Sequence, residues 1–247
     1  MGKLDGRLAL VTGASRGIGY ATALALAREG AHIIAVARTI GGLEELDDAI
    51  KSATGGEGAT LVPMDLTDMP AVDRLGGAIN ERWGKLDILV ANAGILGTIS
   101  PIGHVEAKVF NKVIDTNLTA TWRLIRSVEP LLLKADAGRA LVLTSAVAHT
   151  ARAFWGPYAA TKAALETLVR VWAEESEKTA LRVNAVDPGA TRTAIRARAY
   201  PGEDASTLPN PADVAAKLIP LCLPETDESG KLFRVRDNRF FSYREPV

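Results

Sequence analysis

The chain carries no formal net charge: 29 Lys and Arg balance 29 Asp and Glu among 247 residues. A balanced surface has no general attraction for nucleic acid or anionic membrane. Cysteine is nearly absent. A single residue, Cys222, cannot form an internal disulfide, and a chain of this length has core enough without one. We expect a small buried hydrophobe there and a reducing compartment, with the cytoplasm as the default. The three histidines, His32, His104 and His149, show no ligand spacing among themselves or with the cysteine, so no metal site is expected. The apolar start LALVT is too short to cross a membrane, opens straight into glycines and has no secretory cleavage pattern after it.

What the chain has is apolar residues, 47% of the total, arranged as alternating strand and helix patterns. RLALVT, AHIIAVAR, ATLVPMD, LDILVANAG, GRALVLTSA, LRVNAVDPG and GKLFRV read as short strands rich in Val, Ile and Leu, with helical stretches between them. Strands without polar alternation suit a parallel sheet covered on both faces. The expected fold is α/β, a three-layer doubly wound sheet forming one domain over residues 1–247, with a substrate loop near 190–210. A (β/α) barrel also alternates, but seven strands are counted rather than eight.

The turn TGASRGIG joins the first strand to the first helix, with glycines at Gly13, Gly17 and Gly19. Gly13 supplies a backbone shape closed to other residues, Gly17 lets the main chain approach a ligand, and Gly19 lets helix and sheet pack closely. The helix start then offers amide hydrogens to a pyrophosphate. The absence of GK[ST] excludes a triphosphate loop. Ala37 and Arg38 end the second strand where a carboxylate would read a free ribose hydroxyl, and Arg16 lies within the glycine turn. Two guanidiniums suit a 2'-phosphate, so NADP(H) is preferred over NAD(H). The alternative is that Arg38 only covers the adenine while either cofactor binds. Asp65, after the third strand, is placed to accept from the adenine amino group, with Asp68 or Thr67 as the next helix cap. Asn92, Ala93 and Gly94 end the fourth strand at the same edge.

Ser145 ends the fifth strand. Tyr158 and Lys162 follow, one helical turn apart. A tyrosine has a pKa of about 10 and is a poor acid or base at neutral pH. A neighbouring ammonium and an oxidised nicotinamide would favour phenolate, and lowering the pKa by about three units needs about 4 kcal/mol. Ser145 would hold and aim the substrate oxygen.

TGASRGIG, DLTD, NAG, the asparagine of DTNLTA, Ser145, YAATK and DPGATRT, taken together and in order over nearly the whole chain, resemble the single-domain short-chain dehydrogenase/reductase family. The resemblance implies strand order 3-2-1-4-5-6-7 and a carbonyl or secondary-alcohol substrate. It implies that Tyr158 is the acid/base, that Asn117 kinks a long helix and completes a proton relay with Lys162, and that Ser15, Ile18 and Leu66 contribute to the cofactor site. It also implies that Pro188, Gly189, Thr191 and Thr193 cradle the nicotinamide, and that copies associate as dimers or tetramers through the helices after strands four and five. Three features depart from the family pattern: ANAG in place of NNAG, the short segment RARAYPGEDASTLPNPADV, and the finish RDNRFFSYREPV. Together with FWGPYAATK and the Thr-Arg-Thr stretch they look most like a bacterial branch, the YciK-like oxidoreductases.

The substrate is open. Phe154, Trp155 and Tyr200 form a candidate apolar wall. Arg152, Arg196, Arg198 and Arg192 are either a positive rim for an anionic substrate or a solvated loop. The aromatic and arginine tail suits a neighbouring subunit better than single-stranded nucleic acid. Besides a reductase, the motifs leave open a cofactor-binding regulatory or structural protein, an epimerase or an enoyl reductase.

Overall fold

A computed structural model describes residues 2–243; Met1 and the last four residues of the tail, 244–247, lie outside the described residues. Seven parallel strands form the sheet: β1 (Leu8–Thr12), β2 (His32–Ala37), β3 (Thr60–Pro63), β4 (Ile88–Ala91), β5 (Arg139–Leu143), β6 (Arg182–Asp187) and β7 (Leu232–Arg234). Their spatial order is β3-β2-β1-β4-β5-β6-β7, as the resemblance implies. An eighth strand, β8 (Arg239–Phe241), adds antiparallel to β7 and was not expected. The tail from Arg239 therefore turns back on its own sheet, through a reverse turn in which Asn238 takes a left-handed φ of 50°. Phe240 meets Phe233 edge-on, ring centroids 5.1 Å apart.

Successive strand residues point to opposite faces, and both faces are covered. Ala9, Val11, Ile33 and Ala35 face one layer, where α1 (Gly17–Arg28), α2 (Ile40–Thr54) and α9 (Pro211–Leu218) bury Leu26, Leu43, Leu46 and Leu218. Leu8, Leu10, Ile34 and Val36 face the other layer. There α3 (Met69–Trp83), α5 (Ala120–Leu132) and α7 (Gly156–Glu175) supply Val72, Leu124, Val128, Leu165 and Trp172. Strands buried on both sides need no polar alternation, which explains their uniform composition. Helix starts follow local chemistry: Asp68 accepts from the Ala71 amide ahead of α3, and Asn210 with Asp213 forms a capping box on α9.

The long helix that the resemblance implies around Asn117 is α4 (Ala107–Ile114) and α5, with a π-helical turn at Asp115–Thr119 between them. The remaining helices are α6 (Val147–Thr150), a single turn after β5, and α8 (Ala194–Ala199) in the loop after β6. The order of strands reverses between β1 and β4, so their C-terminal ends splay into a crevice. No helix among the described residues is long and apolar enough to cross a membrane.

The contact between α3 and α5 requires glycine at Gly76 but not at its neighbour Gly77. A Cβ on Gly76 would lie 1.9 Å from the Ser127 carbonyl oxygen, whereas one on Gly77 meets nothing. Gly76→Ala should lower unfolding free energy by about 1–3 kcal/mol through overpacking. Gly77→Ala should be neutral or raise stability by up to about 1 kcal/mol. Urea unfolding of the two variants checks the contrast.

Candidate active site

A cleft of about 740 Å³ opens along the C-terminal ends of the strands. One end is the turn after β1. Gly13 and Gly17 have left-handed φ values of 67° and 61°. A Cβ on Gly13 would sit 2.8 Å from the Asn92 amide nitrogen, and one on Gly19 would sit 2.4 Å from the Gly13 carbonyl oxygen. Larger residues would fill the cradle or push the helix off the sheet. Arg16 occupies the N-cap of α1 and no side chain hydrogen-bonds there, which leaves the first-turn amides to face the cleft. Ser15, Arg16, Ile18, Arg38, Asp65 and Leu66 line this half of the cleft.

The turn is stitched to the end of β4. Thr12 accepts from the Asn92 and Ala93 amides, 3.1 Å each, and the Asn92 side chain donates to the Thr12 carbonyl at 2.9 Å. Thr12 went unnoticed in the sequence because a threonine ending an apolar strand carries no motif. Asp65 accepts from the Thr67 amide and hydroxyl and lies 3.6 Å from the Arg38 guanidinium. Burial pushes its carboxyl upward, but Thr67 and Arg38 outweigh that and hold it below the ordinary value. Both members of the pair are about half exposed, so the ion pair is weak and Arg38 is available to another anion.

The other half of the cleft is formed by Gly94, Ser145, Tyr158, Lys162, Pro188, Gly189, Thr191 and Thr193. Gly189 turns with φ 71° and Thr193 caps α8. Two of the expected residues stand behind the wall. Gly19 packs against Gly13, and Asn117 is wholly buried. Asn117 holds the π-helical turn to the β4 loop: its side chain accepts from the Ile95 amide at 2.8 Å and donates to the Ile95 carbonyl at 2.9 Å. It also donates to Thr161, the residue beside Lys162.

α7 carries Tyr158 and Lys162 on one buried face. The Lys162 ammonium donates to the Leu143 carbonyl at 2.7 Å and lies 5.6 Å from the centre of the Tyr158 ring. Sequence reasoning expected the ammonium to lower the phenol. The chain's own groups do the reverse. Burial, followed by the Asp187 carboxylate, pushes Tyr158 up to about 12, while the Ser145 hydroxyl bonding to it pulls the other way. Lys162 is itself taken down to about 8 by burial, against a pull from Glu166. Desolvation outranks the charge pair because both partners are inside. The phenol is thus held as the proton-bearing form across neutral pH.

Beyond the phenol the lining is aromatic and apolar. Trp155 meets Tyr158 edge-on at 5.9 Å and Tyr200 at 5.8 Å. Phe154, by contrast, is 54% exposed in a left-handed backbone and packs outside this stack. The arginines expected as a positive rim are largely engaged. Arg196 pairs with Glu203 and covers the Tyr200 ring, Arg192 bonds the Asn210 side chain, and Arg198 reaches the Gly97 carbonyl. Arg152 lies over the other part of Tyr200.

Glycine cradle, open helix start, two guanidiniums and a cleft of this volume fit a nicotinamide dinucleotide. The family described as short chain dehydrogenase matches residues 7–204. Oxidoreductase YciK of Escherichia coli K12, itself described as uncharacterized, is 39% identical over 85% of this chain and 84% of its own. Its solved structure superposes with a TM-score of 0.90 at 36% identity, covering 94% and 96% of the two chains. A short chain dehydrogenase of E. coli CFT073 complexed with NADPH gives 0.88 at 37% identity, covering 94% and 98%.

A buried amine held down to about 8 from an ordinary 10.5 disfavours the folded state while it is charged. The penalty is complete below pH 8 and is relieved as pH rises from 8 to 10.5. Lys162→Met should therefore be more stable than the parent by about 2 kcal/mol at pH 7, the lost hydrogen bond to Leu143 offsetting part of the gain. The difference should shrink toward pH 10. Urea unfolding at the two pH values measures it, and a variant less stable at pH 7 contradicts it.

Proposed function

Because the chain belongs to the short-chain dehydrogenase family, we propose that it is an NADPH-preferring oxidoreductase of carbonyls and secondary alcohols with Tyr158 as its acid/base. The observation that carries this reading is the convergence of the Tyr158 phenol, Ser145 and the buried Lys162 on one wall of the glycine-turn cleft. The reduced nicotinamide, when bound, supplies the hydride. Tyr158 gives its proton to the carbonyl oxygen, and a phenol held at about 12 is in the right form to do so. Ser145 bonds the same oxygen and sets its angle. Lys162 favours the phenolate left behind, and the phenolate regains its proton from solvent, with Lys162 and Asn117 as the groups behind it on that side of the helix. In the alcohol-oxidising direction the same groups run in reverse.

The first-turn amides of α1 and the Gly13–Gly19 backbone would hold the pyrophosphate, with Asp65 near the adenine and Pro188, Gly189, Thr191 and Thr193 around the nicotinamide. Arg38 and Arg16 would take the 2'-phosphate, in keeping with the NADPH bound by the E. coli CFT073 relative. With most arginines already engaged and Trp155 and Tyr200 lining the substrate side, an uncharged ketone or aldehyde with an apolar group fits better than an anion. Exposed Phe110, Trp122 and Val171 on α4, α5 and α7 are the surface we assign to a second copy of the chain. The lone buried Cys222 is in keeping with a reducing compartment such as the cytoplasm.

A panel of neutral aryl and alkyl ketones, matched 2-oxo acids and acyl thioesters, followed by loss of NADPH absorbance, tests the activity. Neutral ketones should turn over first, and Tyr158→Phe should lose at least about 100-fold in kcat with NADPH affinity unchanged. Cofactor binding with no turnover anywhere on the panel would favour a regulatory protein. Retained turnover in Tyr158→Phe would remove the acid assignment. Arg38→Ala should raise KM for NADPH by roughly tenfold and leave KM for NADH unaltered. Equal or better use of NADH by the parent protein would contradict the cofactor preference.

A further inference from the structure

Glu166 is a buried carboxylate that the reaction above does not use. It lies on α7 one turn beyond Lys162 and is 4% exposed. In a sequence it reads as one more charge on a helix. In the structure both its oxygens are committed. Oε1 accepts from the Thr144 hydroxyl at 2.7 Å, and Oε2 lies 2.9 Å from Nε2 of His149. Thr144 immediately precedes Ser145, and His149 is on α6, the single turn that immediately follows it. That turn is compact: the Ala148 amide donates to the Ser145 carbonyl at 2.9 Å and the His149 amide to the Ala146 carbonyl at 3.1 Å. One carboxylate on the helix bearing Tyr158 and Lys162 therefore grips the chain on both sides of Ser145.

We infer that Glu166 is a positioning residue, a clamp that fixes the Ser145 hydroxyl against the Tyr158 phenol, with the C-terminal Tyr243 as its cover. Tyr243 comes from the segment after β8. Its ring lies 6.2 Å from the His149 ring and under the Arg170 guanidinium. Its buried hydroxyl has no well-aligned hydrogen bond among the described residues and is pushed upward by burial and by Glu166. The tail thus shuts water away from the carboxylate. The groups facing Glu166 are Thr144 from β5, His149 from α6, Lys162 and Arg170 from α7, Asp187 from β6 and Tyr243 from the tail. Burial raises the carboxyl above its ordinary value, and the Thr144 bond and His149 pull it back.

The inference rests on Ser145 acting on the substrate oxygen, so the experiment separates the two. Glu166→Ala, Glu166→Gln and His149→Ala are made alone and in a Ser145→Ala background. kcat is read on the fastest panel ketone, NADPH affinity by fluorescence titration, and the Ser145 position by crystallography. His149 is partly exposed, so its variant folds even where Glu166→Ala does not. We expect kcat to fall roughly tenfold in Glu166→Ala and about threefold in His149→Ala, with NADPH affinity unchanged and Ser145 displaced in the crystal. Glu166→Gln, which still accepts from Thr144, should recover most of the rate. In the Ser145→Ala background the Glu166 substitutions should cost nothing further. A full additional loss in that background, an unmoved Ser145, or loss of affinity in step with rate overturns the clamp. Ser145→Ala alone with parental kcat overturns the catalytic reading of Ser145, and the clamp with it.

Discussion

Three polar side chains buried on one face of α7 are the constraint around which the rest of this chain is arranged. Tyr158, Lys162 and Glu166 recur every fourth residue and press against the end of β5. An isolated buried ammonium or carboxylate is strongly disfavoured. Here each has a specific partner: the Leu143 carbonyl for Lys162, Thr144 and His149 for Glu166, and Ser145 for the phenol. Apart from His149 on α6, those partners are consecutive residues at one strand end, 143 to 145, because β5 is central and parallel with its C-terminal edge at the crevice. Local instability at the site is offset by the two apolar layers on either side of the sheet.

The same strand-end logic explains the cofactor half. β1, β2, β3 and β4 end in turns, and each turn contributes backbone amides or short side chains to one trough. The stitching of Thr12 to Asn92 and Ala93 ties two of those turns together. Asn117 does the equivalent for the substrate half by tying a π-helical turn to the loop after β4. The same side chain reaches α7, where it donates to the Thr161 hydroxyl beside Lys162.

Much of this could be read without coordinates, for physical reasons that differ between elements. The seven parallel strands were visible because strands buried on both faces are apolar throughout. The glycine turn was visible because steric demands leave glycine alone at Gly13 and Gly17. The pairing of Tyr158 with Lys162 was visible because the two have fixed helical spacing. Other features were hidden. β8 has three residues, and its aromatics, Phe240 and Phe241, suit a partner surface as well as a sheet edge. Glu166 and His149 are far apart in sequence until α6 folds back, and one glutamate among the three of LETLVRVWAEE looks solvated. The upward push on Tyr158 in the cofactor-free chain was hidden because a sequence displays neighbouring charges but not how deeply a group is buried.

The central claim is that burial, more than charge pairing, sets the resting state of Tyr158, so the protein by itself holds a proton donor and not a phenolate. The direct measurement is an ultraviolet titration of phenolate absorbance in the cofactor-free protein, taken as the difference between the parent and a variant with phenylalanine at that position. The account predicts that this one tyrosine stays protonated beyond pH 10 and ionises at about 12. Ionisation of that tyrosine between pH 7 and 9 without cofactor would contradict it.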